Sequence, residues 1–462
     1  MLRLLIIVGC SLAMIGIGLG ARKKVRTESG FFVAQRKMSL PFIAGSLVGT
    51  AVGGSVTVGM AGLGFGQGLT GAWWLLVGSI GLLILGIFFA RKVRGAALYT
   101  LPELVEKQYD RRVGLAASIL IVVAWVGVVA GQIVAAGKVL SILGIGSVNL
   151  WMAIFSTVLI AYSVLGGQLA AIGTDLFQAI IIYLGIFVGL GLVLTQIGGL
   201  SGLRLALPPD YFSFPVSSQF DWKALLSLLI LVGATYVVGP DMYTRLFCAK
   251  NEKTAQRATF LSAISFVPLA FAVVLIGMSA KVLYPGITPE QAFPKVISAI
   301  PSPILSGLIL TALVVAPLSS CLLNQGVILT QDIIKRFLPS LDERKTILLT
   351  RLNIIILGLL ALGLAMILKG VISSLLFAYT IFTCGLVVPV IAGFYKEKLK
   401  VTPQGALAAL IGGGIIGLLG KIPGLNIPLK GDLGLIGFAV SAVLLFGVSY
   451  LHLKRSSLRG TN

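Results

Sequence analysis

The chain has 462 residues, of which 57% are hydrophobic and only 11% are charged, against about 25% charged residues in an ordinary soluble domain. This composition excludes a soluble enzyme, which could not bury so much apolar surface, and a disordered chain, which needs low hydrophobicity. The formal net charge of +21 does not indicate nucleic-acid binding, because the basic residues lie in short loops beside apolar runs, where they mark membrane topology. The composition therefore predicts an all-α polytopic membrane protein.

Apolar runs follow one another along the whole chain. A transmembrane helix needs roughly 17–25 residues, and thirteen runs are long enough to serve as one. Hydropathy therefore predicts about 13 transmembrane helices, with no separate soluble domain between them. The runs cover residues 3–20, 41–64, 70–90, 113–137, 148–165, 171–194, 223–240, 258–280, 303–330, 346–367, 371–393, 402–421 and 431–451.

The basic residues divide unequally between the loops on the two sides of the membrane. If the N-terminus lies outside, the cytoplasmic segments carry 27 of the 36 Lys and Arg residues. Positive residues mark the cytoplasmic side, so the pattern predicts an outside N-terminus, a cytoplasmic C-terminus and a multi-pass position in the cell inner (plasma) membrane. Residues 7–10 resemble a lipoprotein cleavage box, but the apolar stretch before Cys10 is short and the run continues to Gly20, which favours an uncleaved first helix.

The helices divide into two blocks of five, with further helices at either end. Residues 41–194 form the first block and residues 223–393 the second. An odd number of helices in each block inverts the second relative to the first, as in transporters built from inverted repeats. The other segments are an N-terminal extra helix and cytoplasmic loop (1–40), an extracellular loop (195–222), and two C-terminal helices with a short tail (394–462).

Glycines interrupt the first helix of each block. Segment 49–55 contains three glycines, and segment 233–240 contains two glycines followed by a proline. Glycine destabilises a helix by about 1 kcal/mol per residue, and an unwound turn at bilayer depth frees backbone groups that must face protein or a wet cavity. Close helix packing is the alternative explanation, but it accounts less well for two such segments at matching positions. We therefore predict a binding pocket at the bilayer midplane between breaks at Gly49–Ser55 and Gly233–Tyr236.

Four stretches resemble motifs of the sodium:solute symporter family. Residues 46–69 are similar to the family's first core helix, and residues 162–167 with 174–178 resemble its Gly-Gly … Thr-Asp-x-x-Gln motif, with Gln168 in place of the usual apolar residue. Residues 239–245 resemble its Pro-x-x-x-x-Arg signature, and residues 318–335 the end of its eighth core helix. The residues that match these motifs and are implied to act in gating are Gly166, Gly167, Thr174, Gln178, Pro240 and Arg245.

The resemblance implies the leucine-transporter fold, with one helix before the five-plus-five core and two after it. It also implies a secondary active transporter rather than an enzyme, in which a cation, Na⁺ in this family, drives symport of a small organic solute by alternating access. The implied partners are the solute and the lipid bilayer, without nucleic acid, and no cofactor is implied beyond the coupling ion. A transporter-like membrane sensor is the alternative from another class, but only residues 451–462 follow the last run, too few for a signalling domain.

The resemblance also implies where the coupling ion binds. An acid and two serines correspond to an additional cation site, and their carboxylate and hydroxyl oxygens suit a hard cation. The family's common sodium site uses backbone carbonyls, but Ala316 and Pro317 replace the hydroxyl pair that completes it. The buried acid could instead carry a proton, so H⁺-coupled symport is the alternative to Na⁺ coupling. The implied ion-binding residues are Asp175, Ser319, Ser320, Gly49, Val52 and Leu313.

Polar and aromatic residues on the helices around the two breaks are the expected solute contacts. Ala51 and Val56 occupy two places where the glucose-transporting branch of the family has polar sugar-binding residues. A pocket with few charges and the amide end of a broken helix suits a small solute, such as a carboxylate or an amino acid. The candidate contacts are Thr50, Ser55, Trp125, Gln132, Tyr236 and Tyr379.

Overall fold

The computed structural model describes residues 5–6, 9, 16, 27–142, 144, 146–315, 318–421 and 430–459. Side chains are not described at residues 28, 166–167, 169–170, 173, 312–315, 318–320, 430 and 457–459. Within the described part the chain is almost wholly helical, and its extended pairings are two isolated bridges, Met38–Ala249 and Ser217–Phe220. The fold is therefore all-α, as the composition predicts.

Helices cover every apolar run predicted from residue 41 onwards. Nine of the described helices are long and apolar enough to cross a membrane, and two more, Leu40–Ala51 and Pro403–Leu419, are apolar but shorter. Most of the first run lies outside the described residues, so the total of 13 stays a prediction. The α-helices are Glu28–Val33, Leu40–Ala51, Gly54–Gln67, Trp73–Ile84, Ala90–Ala96, Leu101–Gln108, Arg111–Ser141, Val148–Gln196, Gly199–Ala206, Trp222–Leu228, Ala234–Val238, Pro240–Cys248, Glu252–Leu283, Ala292–Ser298, Pro303–Val315, Leu318–Ile328, Lys335–Phe337, Glu343–Leu368, Val371–Phe382, Val388–Gly393, Lys396–Leu399, Pro403–Leu419 and Leu433–Arg459. They are joined by π-turns at Leu85–Phe89, Leu229–Gly233, Leu329–Ile334 and Thr383–Val387, and by 3-10 turns at Ala34–Arg36, Gly68–Ala72, Pro209–Phe212, Pro289–Gln291 and Lys430–Asp432.

Polar side chains cap several of the long helices at their first turn. At the start of helix Arg111–Ser141, the Asp110 carboxylate accepts hydrogen bonds from two backbone amides, each at 2.9 Å. Asn251 and Asp342 cap the helices that follow them by accepting from one backbone amide each. Such caps satisfy amides that have no partner within the helix and typically contribute ~1 kcal/mol each. They therefore fix where these long helices begin.

Helix Val148–Gln196 contains two of the predicted runs and is not straight. The Tyr162 hydroxyl lies 3.0 Å from Thr174 Oγ1, twelve residues away, whereas that length of straight helix would separate the two backbones by about 18 Å. The chain therefore turns sharply between these two residues. Two arms result, Val148–Leu165 and Thr174–Gln196, each long enough to cross a membrane.

The first predicted helix break is present. Helix Leu40–Ala51 ends at Val52, whose φ of −102° and ψ of 39° leave the helical region, and Gly53 is extended. Helix Gly54–Gln67 then begins without a side-chain cap. These two half-helices form the first broken helix, and its interruption falls inside the segment that the glycines predicted.

The second break lies further along the chain than predicted. Helix Ala234–Val238 passes through the segment expected to unwind, Gly233–Tyr236. It stops at Gly239, whose ψ of 136° is extended, and helix Pro240–Cys248 begins there. Proline explains the shift, because it disfavours helical geometry in the preceding residue and suits the first position of a new helix. Residues 222–248 form the second broken helix.

Two helices approach each other closely enough for backbone contact. A Cβ atom at Gly64, in the first broken helix, would lie 2.5 Å from the carbonyl oxygen of Val274 in helix Glu252–Leu283. A Cβ atom at Gly277 would overlap the carbonyl oxygen of Ala61. Glycine is needed at both positions, since a side chain would force the backbones apart.

The segments predicted to be cytoplasmic meet at one end of the helices. Arg94 Nε donates a hydrogen bond at 2.5 Å to a backbone carbonyl just after the second broken helix. Arg336 pairs with Glu106, and the Arg36 guanidinium lies over the Tyr99 ring, 5.2 Å from its centroid. Basic residues from separate loops therefore share this end of the structure.

The close helix contact should make Gly277 intolerant of even one methyl group. We expect Gly277→Ala to lower the melting temperature, because overpacking a tight contact costs about 1–3 kcal/mol. Gly363→Ala is the matched control, since nothing lies within 4 Å of a Cβ atom at that position. Thermal unfolding in lipid nanodiscs measures both variants, and equal melting temperatures would contradict the contact.

Candidate functional site

A cavity lies between the two broken helices and helix Arg111–Ser141. Its volume is about 30 Å³, room for little more than a water molecule and far below the ~300–1,000 Å³ of pockets that hold a small molecule, so the cavity is nearly closed in this structure. All six side chains that the sequence suggests as solute contacts line this cavity. They are Thr50, Ser55, Trp125, Gln132, Tyr236 and Tyr379.

The first broken helix brings Thr50 and Ser55 to the cavity from its two halves. The Ser55 amide, in the first turn of helix Gly54–Gln67, donates to Gln132 Oε1 at 3.3 Å. The Ser55 hydroxyl is buried and has no hydrogen-bond partner in the described part of the chain. A helix N-terminus carries free amides and partial positive charge. This wall of the cavity therefore offers hydrogen-bond donors to an occupant.

The second broken helix places an acid, Asp241, in the cavity wall, and this residue is not among those predicted from the sequence. Asp241 lies in the first turn of the half-helix that begins at Pro240 and is 5% exposed. Trp125 Nε1 donates to its Oδ2 atom at 2.6 Å, and Asn324 Nδ2 donates to its Oδ1 atom at 2.6 Å. An acid directly after a Gly-Pro pair in an apolar run is the sequence signal that could have found it.

Aromatic rings form much of the remaining wall. Trp125 packs edge-on against Phe382 with 4.7 Å between ring centroids, and its centroid lies 6.4 Å from that of Tyr379. Tyr236, from the second broken helix, packs edge-on against Phe266 at 6.1 Å. These contacts hold the rings in place. The cavity therefore presents aromatic surface with polar groups at a few fixed positions.

Asp175 is fully buried and forms an ion pair. Its Oδ2 atom accepts a hydrogen bond from Ser46 at 2.5 Å and lies 3.3 Å from Arg245 Nη2. Its Oδ1 atom has no partner among the described residues. The sequence suggests Asp175 as an ion ligand and Arg245 as a motif residue, and the structure brings the two together.

The first break lies beside Asp175. A Cβ atom at Gly49 would come within 3.2 Å of the Asp175 carbonyl oxygen, so the two backbones are in contact. Val52 is buried at the break itself. The backbone of the first broken helix and the acid are therefore neighbours, which a shared ion site requires.

The remaining predicted ion ligands are only partly described. Ser319 and Ser320 belong to helix Leu318–Ile328, but their side chains lie outside the described residues. Leu313 lies in the preceding helix, but its side chain and the two residues that were expected to free its carbonyl, Ala316 and Pro317, also lie outside.

Arg245 connects the ion pair to the cavity. Its Nη2 atom donates to Thr50 Oγ1 at 3.2 Å, and its Nη1 atom donates to Gln168 Oε1 at 3.0 Å. Gln168 Nε2 donates in turn to Asn324 Oδ1 at 2.7 Å, and Asn324 reaches the cavity acid. Sequence motifs did not reveal this series, because its members lie far apart in the chain. The polar chain consists of Asp175, Arg245, Gln168, Asn324 and Asp241.

The other motif residues lie around these groups. The Thr174 hydroxyl donates to a backbone carbonyl one turn earlier at 3.0 Å, which fixes the turn before the acid. Pro240 begins the half-helix that carries both the cavity acid and the arginine. Gln178 is buried. Gly166 and Gly167 lie between the two arms of their helix, where the side-chain environment is not described.

Comparison with known proteins relates most of the chain to one family. The sodium:solute symporter family model matches residues 31–413. Sodium/glucose cotransporter 2 of Rattus norvegicus is 25% identical over an alignment that covers 91% of this chain and 71% of the relative. The sodium/glucose cotransporter of Vibrio parahaemolyticus is 26% identical, with 89% of this chain and 82% of the relative covered. The matched residues include both broken helices and the polar chain.

Solved transporter structures share the fold. A Na⁺-coupled sialic acid symporter in a substrate-bound outward-open state superimposes with a TM-score of 0.80 over 98% of each chain, at 18% identity. A nucleobase-cation-symport-1 family transporter in a closed conformation gives a TM-score of 0.54 over 91% of this chain and 95% of that chain, at 13% identity. These similarities confirm the leucine-transporter-like fold that the sequence implies.

The Asp175–Arg245 pair should behave as a buried ion pair in unfolding experiments. Asp175→Asn or Arg245→Gln alone leaves one buried charge unpaired, which costs about 3–5 kcal/mol. The double variant should recover part of this loss, because neither charge then remains. A double-mutant cycle of thermal unfolding in Na⁺-free buffer measures the coupling.

Asp432→Asn is the control for this cycle, because its ion pair with Lys223 lies at the surface. Exposed pairs contribute little, so its melting temperature should stay close to that of the wild type. Strictly additive losses in the Asp175 and Arg245 variants would show that the pair does not contribute as a unit.

Proposed function

Because the chain belongs to the sodium:solute symporter family, we propose that the cavity between its two broken helices binds the transported solute. The chain is a multi-pass membrane protein and a secondary active transporter, not an enzyme, and it couples Na⁺ to solute movement by alternating access. The observation that carries the proposal is that all six expected contact residues line one cavity beside both breaks.

Na⁺ binds, in this proposal, between the first break and Asp175. The Oδ1 atom of Asp175 is buried and lacks a partner in the described part, so it is available to a cation. Carbonyls of the adjoining half-helix supply further oxygen atoms, which are the ligands that hard cations prefer. The proposed ligands are Asp175, Gly49, Val52, Leu313, Ser319 and Ser320.

The ion pair favours Na⁺ over a proton as the coupling ion. A proton on Asp175 would leave the buried Arg245 guanidinium without its anion, which costs about 3–5 kcal/mol. A bound Na⁺ leaves the carboxylate charged, so the pair persists. The family and the Na⁺-coupled structural relative point the same way, and neither supports proton coupling.

The amide end of helix Gly54–Gln67 suits a carboxylate group on the solute. Helix N-termini bind anions through free amides and the helix dipole, and the Ser55 hydroxyl adds a further donor at this wall. Two of the relatives named above are glucose transporters by name, but Ala51 and Val56 line this cavity and offer no side-chain hydrogen bond to a sugar. The proposed solute is therefore a small carboxylate or an amino acid.

Ion pairs near the two ends of the helices are the proposed gates. At the end predicted to be extracellular, Lys138 pairs with Glu290. At the opposite end, Arg336 pairs with Glu106. Breaking one pair while the other holds would open the cavity to one side only, which alternating access requires.

The proposed organisation keeps the two inverted repeats at residues 41–194 and 223–393. An extra helix and cytoplasmic loop (1–40) precede them, an extracellular loop (195–222) joins them, and two C-terminal helices with a tail (394–462) follow. The N-terminus lies outside and the C-terminus in the cytoplasm, with the plasma membrane as the location. The solute and the bilayer are the partners in this arrangement.

Uptake driven by a Na⁺ gradient tests the proposed site. In proteoliposomes supplied with a panel of labelled small solutes, at least one solute should accumulate with inward Na⁺ and not with K⁺ in its place. Val128→Trp should abolish this uptake by filling the cavity that Val128 lines. Val123→Trp on the same helix is the matched control, because Val123 is 46% exposed and should tolerate the ring.

Both variants need melting temperatures close to that of the wild type for the comparison to hold. Accumulation without Na⁺ would contradict the coupling ion. Undiminished uptake by Val128→Trp would place the solute outside this cavity.

Thiol labelling of intact cells tests the topology. Leu205 is 91% exposed in the predicted extracellular loop, and Lys398 is exposed on the short helix Lys396–Leu399 at the predicted cytoplasmic end. With Cys10 replaced by serine, Leu205→Cys should react with an impermeant maleimide in intact cells, and Lys398→Cys only after permeabilisation. The described native cysteines are buried, which keeps the background low. The reverse pattern would invert the orientation.

A further inference from the structure

Asp241 is an acid in the cavity wall that the proposed Na⁺ site does not use. We infer that the transported solute carries a positively charged amine, held between Asp241 and the aromatic wall of the cavity. The inference rests on the proposed function and adds to it the chemical class of the solute.

The charges of the polar chain do not balance. It contains two buried acids, Asp175 and Asp241, and one buried base, Arg245. Arg245 lies 3.3 Å from Asp175, and among the described residues no ion pair reaches Asp241. The undescribed side chains at 312–320 include no Lys or Arg. Of the two acids, the one without an ion pair among the described residues therefore lies at the cavity.

The directions of the hydrogen bonds show that both oxygens of Asp241 act as acceptors. A guanidinium only donates, so Gln168 must turn its oxygen to Arg245 and its NH₂ group to Asn324. Asn324 must then accept through its oxygen and donate its NH₂ group to Asp241. The Trp125 indole also only donates, so both oxygens of Asp241 accept hydrogen bonds. An ionised carboxylate only accepts hydrogen bonds, so a donor on each oxygen suits that form.

Neutral donors alone leave this carboxylate incompletely compensated. Besides Trp125 and Asn324, the thiol of Cys321 donates to it, 3.3 Å from Oδ2, so the hydrogen-bond donors among the described residues are all neutral. A buried charge without an opposite charge is costly, and natural proteins pair such groups or bind an ion there. The open side of Asp241 is the cavity, so a cation in the cavity completes its environment.

An organic ammonium group fits this position better than a second Na⁺. Trp125, Tyr236 and Tyr379 line the same cavity, and aromatic faces attract ammonium groups through cation–π interactions. Hard metal cations prefer a shell of oxygen atoms, whereas the described side chains that hydrogen-bond to Asp241 contribute an indole N–H, an amide N–H and a thiol. The amide end of the first broken helix lies in the same cavity, so a solute with both an amine and a carboxylate satisfies both walls.

Matched pairs of probes that differ only in the positive group test the inference. The pairs are choline with 3,3-dimethyl-1-butanol, L-alanine with L-lactate, and ethanolamine with ethylene glycol. Each probe is titrated against the purified protein in nanodiscs with saturating Na⁺, and the shift in melting temperature and the Kd are measured. In at least one pair, the amine should bind about tenfold or more tightly than its neutral or anionic partner.

Variants of Asp241 test whether its negative charge causes the preference for the amine. Asp241→Asn should reduce the preference for the amine to less than about threefold, whereas Asp241→Glu, which keeps the charge, should retain it. Trp125→Phe, which removes one donor but keeps a ring, should weaken amine binding without reversing the preference. If Asp241→Asn does not fold, the matched pairs on the wild-type protein decide the question alone.

The possible outcomes distinguish a failure of this inference from a failure of the proposed transport function. Na⁺-driven uptake of a sugar or another solute without an amine, with no preference within any pair, would overturn the inference and leave the proposed function standing. A loss of Na⁺ affinity in Asp241→Asn with unchanged amine preference would also overturn it, by assigning the acid to an ion site. Absence of Na⁺-driven uptake for every solute would instead reject the proposed function.

Discussion

Backbone groups without hydrogen bonds cannot face lipid, and this constraint decides where the chain gathers its polar side chains. Each break frees amides and carbonyls in the middle of a helix, so each must be enclosed by protein. The first break lies against Asp175 and Gln132, and the second begins the half-helix that carries Asp241 and Arg245. The glycines and the proline that interrupt the helices therefore also determine where binding chemistry can be built.

The polar chain couples its two end residues, Asp175 and Asp241, electrostatically. It runs through three helical segments, from the ion pair near the first break to the acid in the cavity wall. In a low-dielectric interior each hydrogen bond of such a series polarises the next. A positive charge that arrives at one acid therefore alters the field at the other. If the ion and the solute bind at the proposed sites, they can influence each other in this way in addition to any movement of the helices.

Hydropathy depends on consecutive residues, so the helices from residue 41 onwards could be predicted from the sequence alone. The first break could be predicted too, because Gly53 and Gly54 adjoin. The second was misplaced, because the effect of Pro240 on its neighbour outweighed that of Gly233. The partners of Asp175 and Trp125 lie 70 and 116 residues away in the chain, so they depend on helix packing that no local pattern records. The roles of the cavity residues and of the proposed ion ligands stay predictions.

Gln168 lies in the middle of the polar chain. Its amide group is the link between Arg245 and Asn324, so an apolar side chain there would cut the polar chain and leave the Asp175 ion pair intact. A protein of this fold with an apolar residue at position 168 would have no hydrogen-bond path between the two acids. In such a protein, the hydrogen bonds would no longer connect the proposed ion site to the proposed solute site.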